Sequence, residues 1–236
     1  MTEESRSADG WFVVATSADV PPGQIVQTFL QGQELALWRD THGAAQVWED
    51  RCPHRGTRFT IGRIAGDQLA CAYHGWRFAA GGHCTYIPAH PGLTPPKPIC
   101  ARTYAVRERY GMIWASLGSP ESDVPVLPPF ADGAGRRLFC RSFVTRCPAD
   151  EAAQQLLAQT DHRYRAIAPL ALVGDTDTDA TPVLLIQPMS EQRSILHLWL
   201  VTHDGADSDA ALRERHVTLI KTQRSRVEAA AAALAQ

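Results

Sequence analysis

Two short stretches constrain this chain more than anything else in it. "CPHRGTRF" runs from Cys52 to Phe59, and "CAYHGWRF" runs from Cys71 to Phe78. Each offers one thiol and one imidazole, and each ends in an aromatic residue after arginine. Side chains in two such loops can act together only if the fold brings both loops to one place. Hairpin tips do this readily, and the surrounding sequence supplies hairpins. From Trp11 to about Leu117 short runs rich in β-branched and aromatic residues alternate with turn residues: "WFVVA", "QIVQTFL", "ELALWR", "AQVWE", "RIAG" with "QLAC", "TYAVRE" and "MIWASL". Gln31-Gly32, Asp40 to Gly43, Gly66-Asp67, Ala79 to Gly82 and Tyr110-Gly111 provide the reversals, because Gly and Asp tolerate the positive φ of tight hairpins. The pattern predicts an all-β sandwich or barrel with both Cys/His loops at hairpin ends.

"GSPESDVPVLPPFADGAG", from Gly118 to Gly135, then concentrates proline and glycine and marks a domain boundary. Beyond it the pattern is mixed. "RRLFCRSFVTRC" reads as a strand, and "PADEAAQQLLAQ" has the proline and acidic start of a helix. "TPVLLIQPM" and "RSILHLWLVTH" read as paired strands. Leu212, His216, Leu219, Gln223, Val227, Ala230 and Leu234 recur at steps of three and four, which predicts one long amphipathic terminal helix. The second domain is therefore expected to be α+β.

Composition excludes some functions. With 23 basic and 25 acidic residues among 236, the net charge of -2 offers no electrostatic footprint for nucleic acid. No run approaches the eighteen or so apolar residues of a membrane span. The polar start "MTEESRSADG" does not read as a signal peptide. A soluble cytoplasmic protein is the expectation. Six cysteines in that setting point to metal ligands or buried thiols rather than to a disulfide framework. Cys84, Cys100, Cys140 and Cys147 show no ligand spacing among themselves and read as free buried thiols. His42, His83 and His90 fall in turn-like sequence and read as exposed.

Cys52-x-His54 and Cys71-x2-His74 admit three readings: coincidence, a structural zinc, or a [2Fe-2S] cluster. Zinc is the serious rival, since Cys2His2 tetrahedra are common. Its usual pattern keeps the two cysteines together and the two histidines together. One of each per loop suits a binuclear site, with the thiolates on one iron and the imidazoles on the other.

"CPHRG" with "CAYHGW" resembles the ligand signature of the Rieske [2Fe-2S] domain, specifically that of the Rieske non-haem iron oxygenases. "GWFVVATSADVPPGQ", "LALWRDTHGAAQVWEDRCPHRG", "CAYHGWRFAAGGHCTYIPA" and "YAVRERYGMIWASLG" extend the resemblance from Gly10 to Gly118. It implies a Rieske domain over 10–118, a Pro/Gly-rich linker over 119–135 and a reduced α+β, helix-grip-like domain over 136–236. It also implies that Cys52 and Cys71 bind one iron and His54 and His74 the other. Respiratory Rieske proteins carry an extra cysteine in each loop. Here Tyr73 occupies that place in the second loop and the first loop has no second cysteine, so the clamping disulfide is absent. A potential in the lower half of the Rieske range of about -150 to +300 mV is expected. Trp76 reads as packing under the second loop, and Arg55 and Arg58 as braces or as a reductase-facing pair.

In full-length members of the family a second domain holds a mononuclear iron through two histidines and a carboxylate. In "EAAQQLLAQTDHRYRAIAPL" Asp161 and His162 resemble a fragment of that motif, but no second histidine follows until His197. A mononuclear Fe(II) in this chain is not expected, and the catalytic residues are unassigned. The resemblance implies an electron-transfer subunit of an oxygenase complex. It would receive electrons from an NAD(P)H-linked reductase or ferredoxin and pass them to a full-length Rieske oxygenase subunit that hydroxylates or demethylates a small molecule. The alternatives are a self-sufficient small oxygenase with ligands drawn from Asp161, His162, His197 or His203, and a free ferredoxin-like carrier.

Overall fold

Tight turns organise the first half of the chain. In the computed structural model, which describes residues 9–159, 164–176, 179–203 and 205–234, Gln31 and Gly32 have φ of 50° and 85°. Tyr110 and Gly111 have 62° and 75°. Two successive positive φ values are what a two-residue hairpin loop requires to match the twist of its strands. These turns close β2 (Val26–Leu30) onto β3 (Gln33–Arg39) and β9 (Ala105–Arg109) onto β10 (Met112–Ser116).

The chain divides by its internal contacts between Val124 and Pro125. The first unit holds β1 (Phe12–Thr16), β2, β3, β4 (Ala45–Glu49), β5 (Arg63–Ala65), β6 (Gln68–Ala70), β7 (Arg77–Ala79), β8 (Cys84–Tyr86), β9 and β10. They form three antiparallel sheets in the orders β1-β10-β9, β2-β3-β4 and β5-β6-β7-β8. The short strands β7 and β8 are absent from the sequence reading, which took their stretch only for its ligands and for the reversal at Ala79 to Gly82.

Between the last two sheets' hydrophobic faces lies an aromatic core. Trp38, Trp48, Phe59 and Phe78 are fully buried. Trp48 meets Trp38, Phe59 and Phe78 edge to face at centroid distances of 5.2, 5.4 and 6.5 Å. Such contacts contribute about 0.5–1.5 kcal/mol each beyond burial. Cys52, Cys71 and Cys84 are buried in the same cluster. Thus the cysteine ends of both Cys/His loops are rooted in this buried aromatic core.

The second unit holds β11 (Arg136–Thr145), α1 (Ala149–Leu157), β12 (Tyr164–Ala168), β13 (Ala171–Gly174), β14 (Ala180–Ser190), β15 (Arg193–Thr202) and α2 (Asp209–Leu234). One antiparallel sheet runs β11-β15-β14-β13-β12. The β12–β13 hairpin is a correction to the sequence reading, which took that stretch only as a site for iron ligands. Its turn is Pro169-Leu170, with Leu170 at φ 55° where glycine or asparagine would be the usual residue. The helix α2 buries Leu212, His216, Ile220, Gln223 and Val227. Leu219, expected on the buried stripe, is only half-buried, and Ile220 takes the place. Gln223 is held by the Tyr164 hydroxyl, which donates to its Oε1 at 3.1 Å.

Candidate metal centre

The two Cys/His loops share one backbone design. In the first, the Cys52 N–H donates to Thr57 O at 2.8 Å and the Gly56 N–H donates to Cys52 O at 2.8 Å. In the second, the Cys71 N–H donates to Trp76 O at 2.9 Å and the Gly75 N–H donates to Cys71 O at 3.1 Å. Each loop is therefore closed from cysteine to a residue five further on, over a glycine four further on. Gly56 and Gly75 sit at φ 74° and 68°, where a β-carbon is disfavoured. The shared C-x3-G spacing is visible in the sequence, but its meaning as a repeated closure is not. The histidine stands two residues after the cysteine in one loop and three after it in the other, which lets two similar loops present different tips.

Asp50 fixes the first loop from behind, and nothing in the sequence singles it out. It is 1% exposed, and its carboxylate accepts from the Thr60 N–H at 2.8 Å and from the Thr60 hydroxyl at 2.7 Å. Arg58 forms an ion pair with Glu34, so it acts as a brace. Arg55 is exposed.

The four side chains separate into two pairs. Cys52 and Cys71 are 2% and 3% exposed, whereas His74 is exposed and His54 half-buried. The imidazoles face each other with Nδ1 atoms 3.2 Å apart. That is close to the roughly 3.3 Å edge of a tetrahedron whose metal–nitrogen bonds are about 2.0–2.1 Å. Trp76 stacks on His54 with centroids 4.1 Å apart and planes 5° from parallel. The 57%-exposed Tyr73 lies against His74 at 3.9 Å. Desolvation first, then His74 and Arg55, lower the pKa of His54 and favour the neutral, ligating form. Burial first, with the neighbouring Cys71 adding to it, pushes the Cys52 thiol up to about 12. Two adjacent thiols sunk in an apolar core are an arrangement that a thiophilic metal would satisfy, by displacing their protons.

This donor set fits a binuclear cluster better than a single zinc. Among the described residues, no three His, Cys, Asp or Glu side chains converge on one ion-sized point. A structural zinc asks for four at one point, whereas a diiron cluster asks for two and two.

Other sequence candidates fall elsewhere. Asp161 and His162 lie outside the described residues. His197 is buried in β15, with Nδ1 2.8 Å from the Ser142 hydroxyl and Nε2 2.9 Å from Gln187 Oε1, so both ring nitrogens are engaged. His203 follows the end of β15 and lies 3.2 Å from Thr181. Six residues of extended chain separate it from His197, on the order of 20 Å, too far to share one iron. Cys100 and Cys140 are half-buried rather than buried. His42, His83 and His90 are exposed, as read.

Residues 10–104 match the family model of the Rieske [2Fe-2S] domain. The chain carries that domain and is homologous to the Rieske non-haem iron oxygenases. It is 46% identical to the oxidoreductase NdmD of Pseudomonas putida over 48% of this chain and 19% of that protein. It is 36% identical to a 4beta-methylsterol monooxygenase of Methylococcus capsulatus over 54% of this chain and 36% of that protein. The chain thus spans well under half the length of these relatives. Its fold is similar to that of Pseudomonas putida NdmA, solved as a mutant with theobromine, with a TM-score of 0.83 at 18% identity, covering 94% of this chain and 81% of that one. The chain thus shares that fold over nearly all of its length while covering 81% of that neighbour's chain. No helix among the described residues is long and apolar enough to cross a membrane.

Proposed function

We propose that this chain is the electron-delivering Rieske component of a non-haem iron oxygenase system. Cys52 and Cys71 would hold one iron of the cluster and His54 and His74 the other. A bound [2Fe-2S] cluster supplies one-electron transfer at a potential within the Rieske range. The chain's own residues do the rest. The aromatic core keeps water from the thiolate side, the two closed loops fix the spacing, and Trp76 holds the His54 ring in orientation.

The observation that carries this reading is the 3.2 Å approach of two imidazole nitrogens at the surface above two buried thiols. It supports a histidine side of the site that is open to a reductase or ferredoxin. The electron would pass to a mononuclear iron in a full-length oxygenase subunit that hydroxylates or demethylates a small molecule. The engagement of both His197 nitrogens favours this over a self-sufficient enzyme using that histidine.

Anaerobic purification with iron and sulfide analysis tests the proposal. Two irons and two sulfides per chain, with a Rieske paramagnetic signal that His74→Ala abolishes, are expected. A third iron per chain would overturn the assignment to a partner's iron in favour of self-sufficiency. A colourless, zinc-loaded protein would overturn the cluster itself. Co-purification with a longer oxygenase subunit separates a complex component from a free carrier.

A further inference from the structure

One thiol outside the candidate centre has a chemical partner. Cys100 and His83 lie opposite one another across an antiparallel bridge. The flanking hydrogen bonds run from the Cys84 N–H to Ile99 O at 3.0 Å and from the Ala101 N–H to Gly82 O at 2.8 Å. This makes 83/100 a non-hydrogen-bonded pair, the geometry in which facing side chains come closest. Cys100 Sγ accordingly sits 2.9 Å from His83 Nδ1. His83 is exposed and Cys100 half-buried, so the pair is open to solvent.

The other cysteines lack this combination. Cys84 and Cys147 are buried. Cys52 and Cys71 are committed to the candidate centre. Cys140 is half-buried like Cys100, but burial pushes its thiol up to about 11. Cys84, next to His83 in sequence, projects into the core with its sulfur 3.9 Å from Tyr86 O. Successive side chains of a strand point to opposite faces, so Cys84 cannot meet Cys100 on the solvent side.

We propose that Cys100, with His83 as its proton acceptor, is a site of reversible modification by low-molecular-weight disulfides. His83 Nδ1 takes the thiol proton as Cys100 Sγ attacks one sulfur of the disulfide. The old S–S bond breaks as the new one forms, and the departing thiolate takes the proton from the imidazolium. Cys100 is oxidised and half of the incoming disulfide is reduced, so no other oxidant is needed. With Cys84 on the far face, no second protein thiol resolves the product, and the mixed disulfide persists until a free thiol in solution reverses it. The site stands on the β7–β8 hairpin that continues from the second Cys/His loop. An adduct there changes the exposed surface of the Rieske unit without touching the candidate ligands.

The test uses the full, cluster-loaded chain and glutathione disulfide near neutral pH, with adducts located by peptide mass spectrometry over time. Cys100 should be modified on the order of tenfold faster than Cys140, and His83→Asn should slow Cys100 by a similar factor. The visible spectrum of the cluster should stay unchanged as the adduct forms. Cys100 reacting no faster than Cys140, or a folded His83→Asn protein reacting at the original rate, overturns the proposal. If His83→Asn does not fold, the comparison of the two thiols in the unaltered chain decides it.

Discussion

Gly62 offers a way to disturb the candidate centre without altering any proposed ligand. Its backbone, at φ -80° and ψ -158°, is open to any residue, so conformational strain plays no part. Space is the constraint. A β-carbon there would stand 2.4 Å from Ala70 O and 2.9 Å from Phe59 O, where ordinary contact begins at 3.4 Å. Neither oxygen belongs to a flexible side chain. Phe59 O already accepts from the Gly62 N–H at 2.8 Å, and Ala70 pairs with Arg63 across β5 and β6. Relief requires the β6 backbone to retreat by about 1 Å, and Cys71 is the next residue. Crowding of this kind costs about 1–3 kcal/mol. For a unit of this size that is a fall in Tm of roughly 3–6 °C per kcal/mol.

Gly66→Ala is the matched control. Gly66 lies in the β5–β6 turn at φ 61° with nothing within 4 Å of the added carbon. Its cost is the left-handed conformation alone, about 1–2 kcal/mol. Both variants should therefore melt earlier, but only Gly62→Ala should lose iron. Iron per chain, the visible spectrum and thermal unfolding of anaerobically prepared protein measure both effects. If Gly62→Ala keeps full iron with an unchanged melting temperature, the idea that β6 rigidly positions Cys71 fails.

Two further outcomes are expected. Trp76→Leu removes the parallel stack on His54, about 0.5–1.5 kcal/mol of orienting energy, so a chelator should strip iron roughly 3- to 10-fold faster; loss of cluster colour under chelator gives the rate, and an unchanged rate would show that the stack does not orient the ring. Arg39 forks onto Glu108 at 2.8 and 2.9 Å, and this bond lowers the Glu108 pKa from its ordinary 4.5, so the ion pair stabilises the protein above that pH and is lost as pH falls through the depressed value; Glu108→Gln should cost about 1 kcal/mol at pH 7 and flatten the acid side of a melting-temperature profile.

What the sequence revealed depended on how local the cause was. The two Cys/His loops and the Gln31-Gly32 and Tyr110-Gly111 turns follow from residues a few positions apart, and all were legible. Asp50 was not, because its role depends on Thr60, and an aspartate in a β-rich run has many ordinary explanations. The β12–β13 hairpin was missed because Pro169 alone marks its turn and Leu170 takes the positive φ where glycine or asparagine is expected. On α2 the steps of three and four fit Leu219 and Ile220 almost equally well, and contact with other elements decides which is buried. The Cys100–His83 pairing joins a loop residue to one seventeen positions earlier, across a single bridge no local pattern announces.

The arrangement of the four proposed ligands carries a consequence for direction. Each loop gives its cysteine to the core and its histidine to the surface, so the two irons would lie at different depths beneath one face. Charge is costly where the thiolates sit, among Trp48, Phe59 and Phe78, and cheaper where the imidazoles meet solvent. A cluster held there would accommodate added charge at least cost on the histidine side, nearest any partner that docks over Tyr73 and His74.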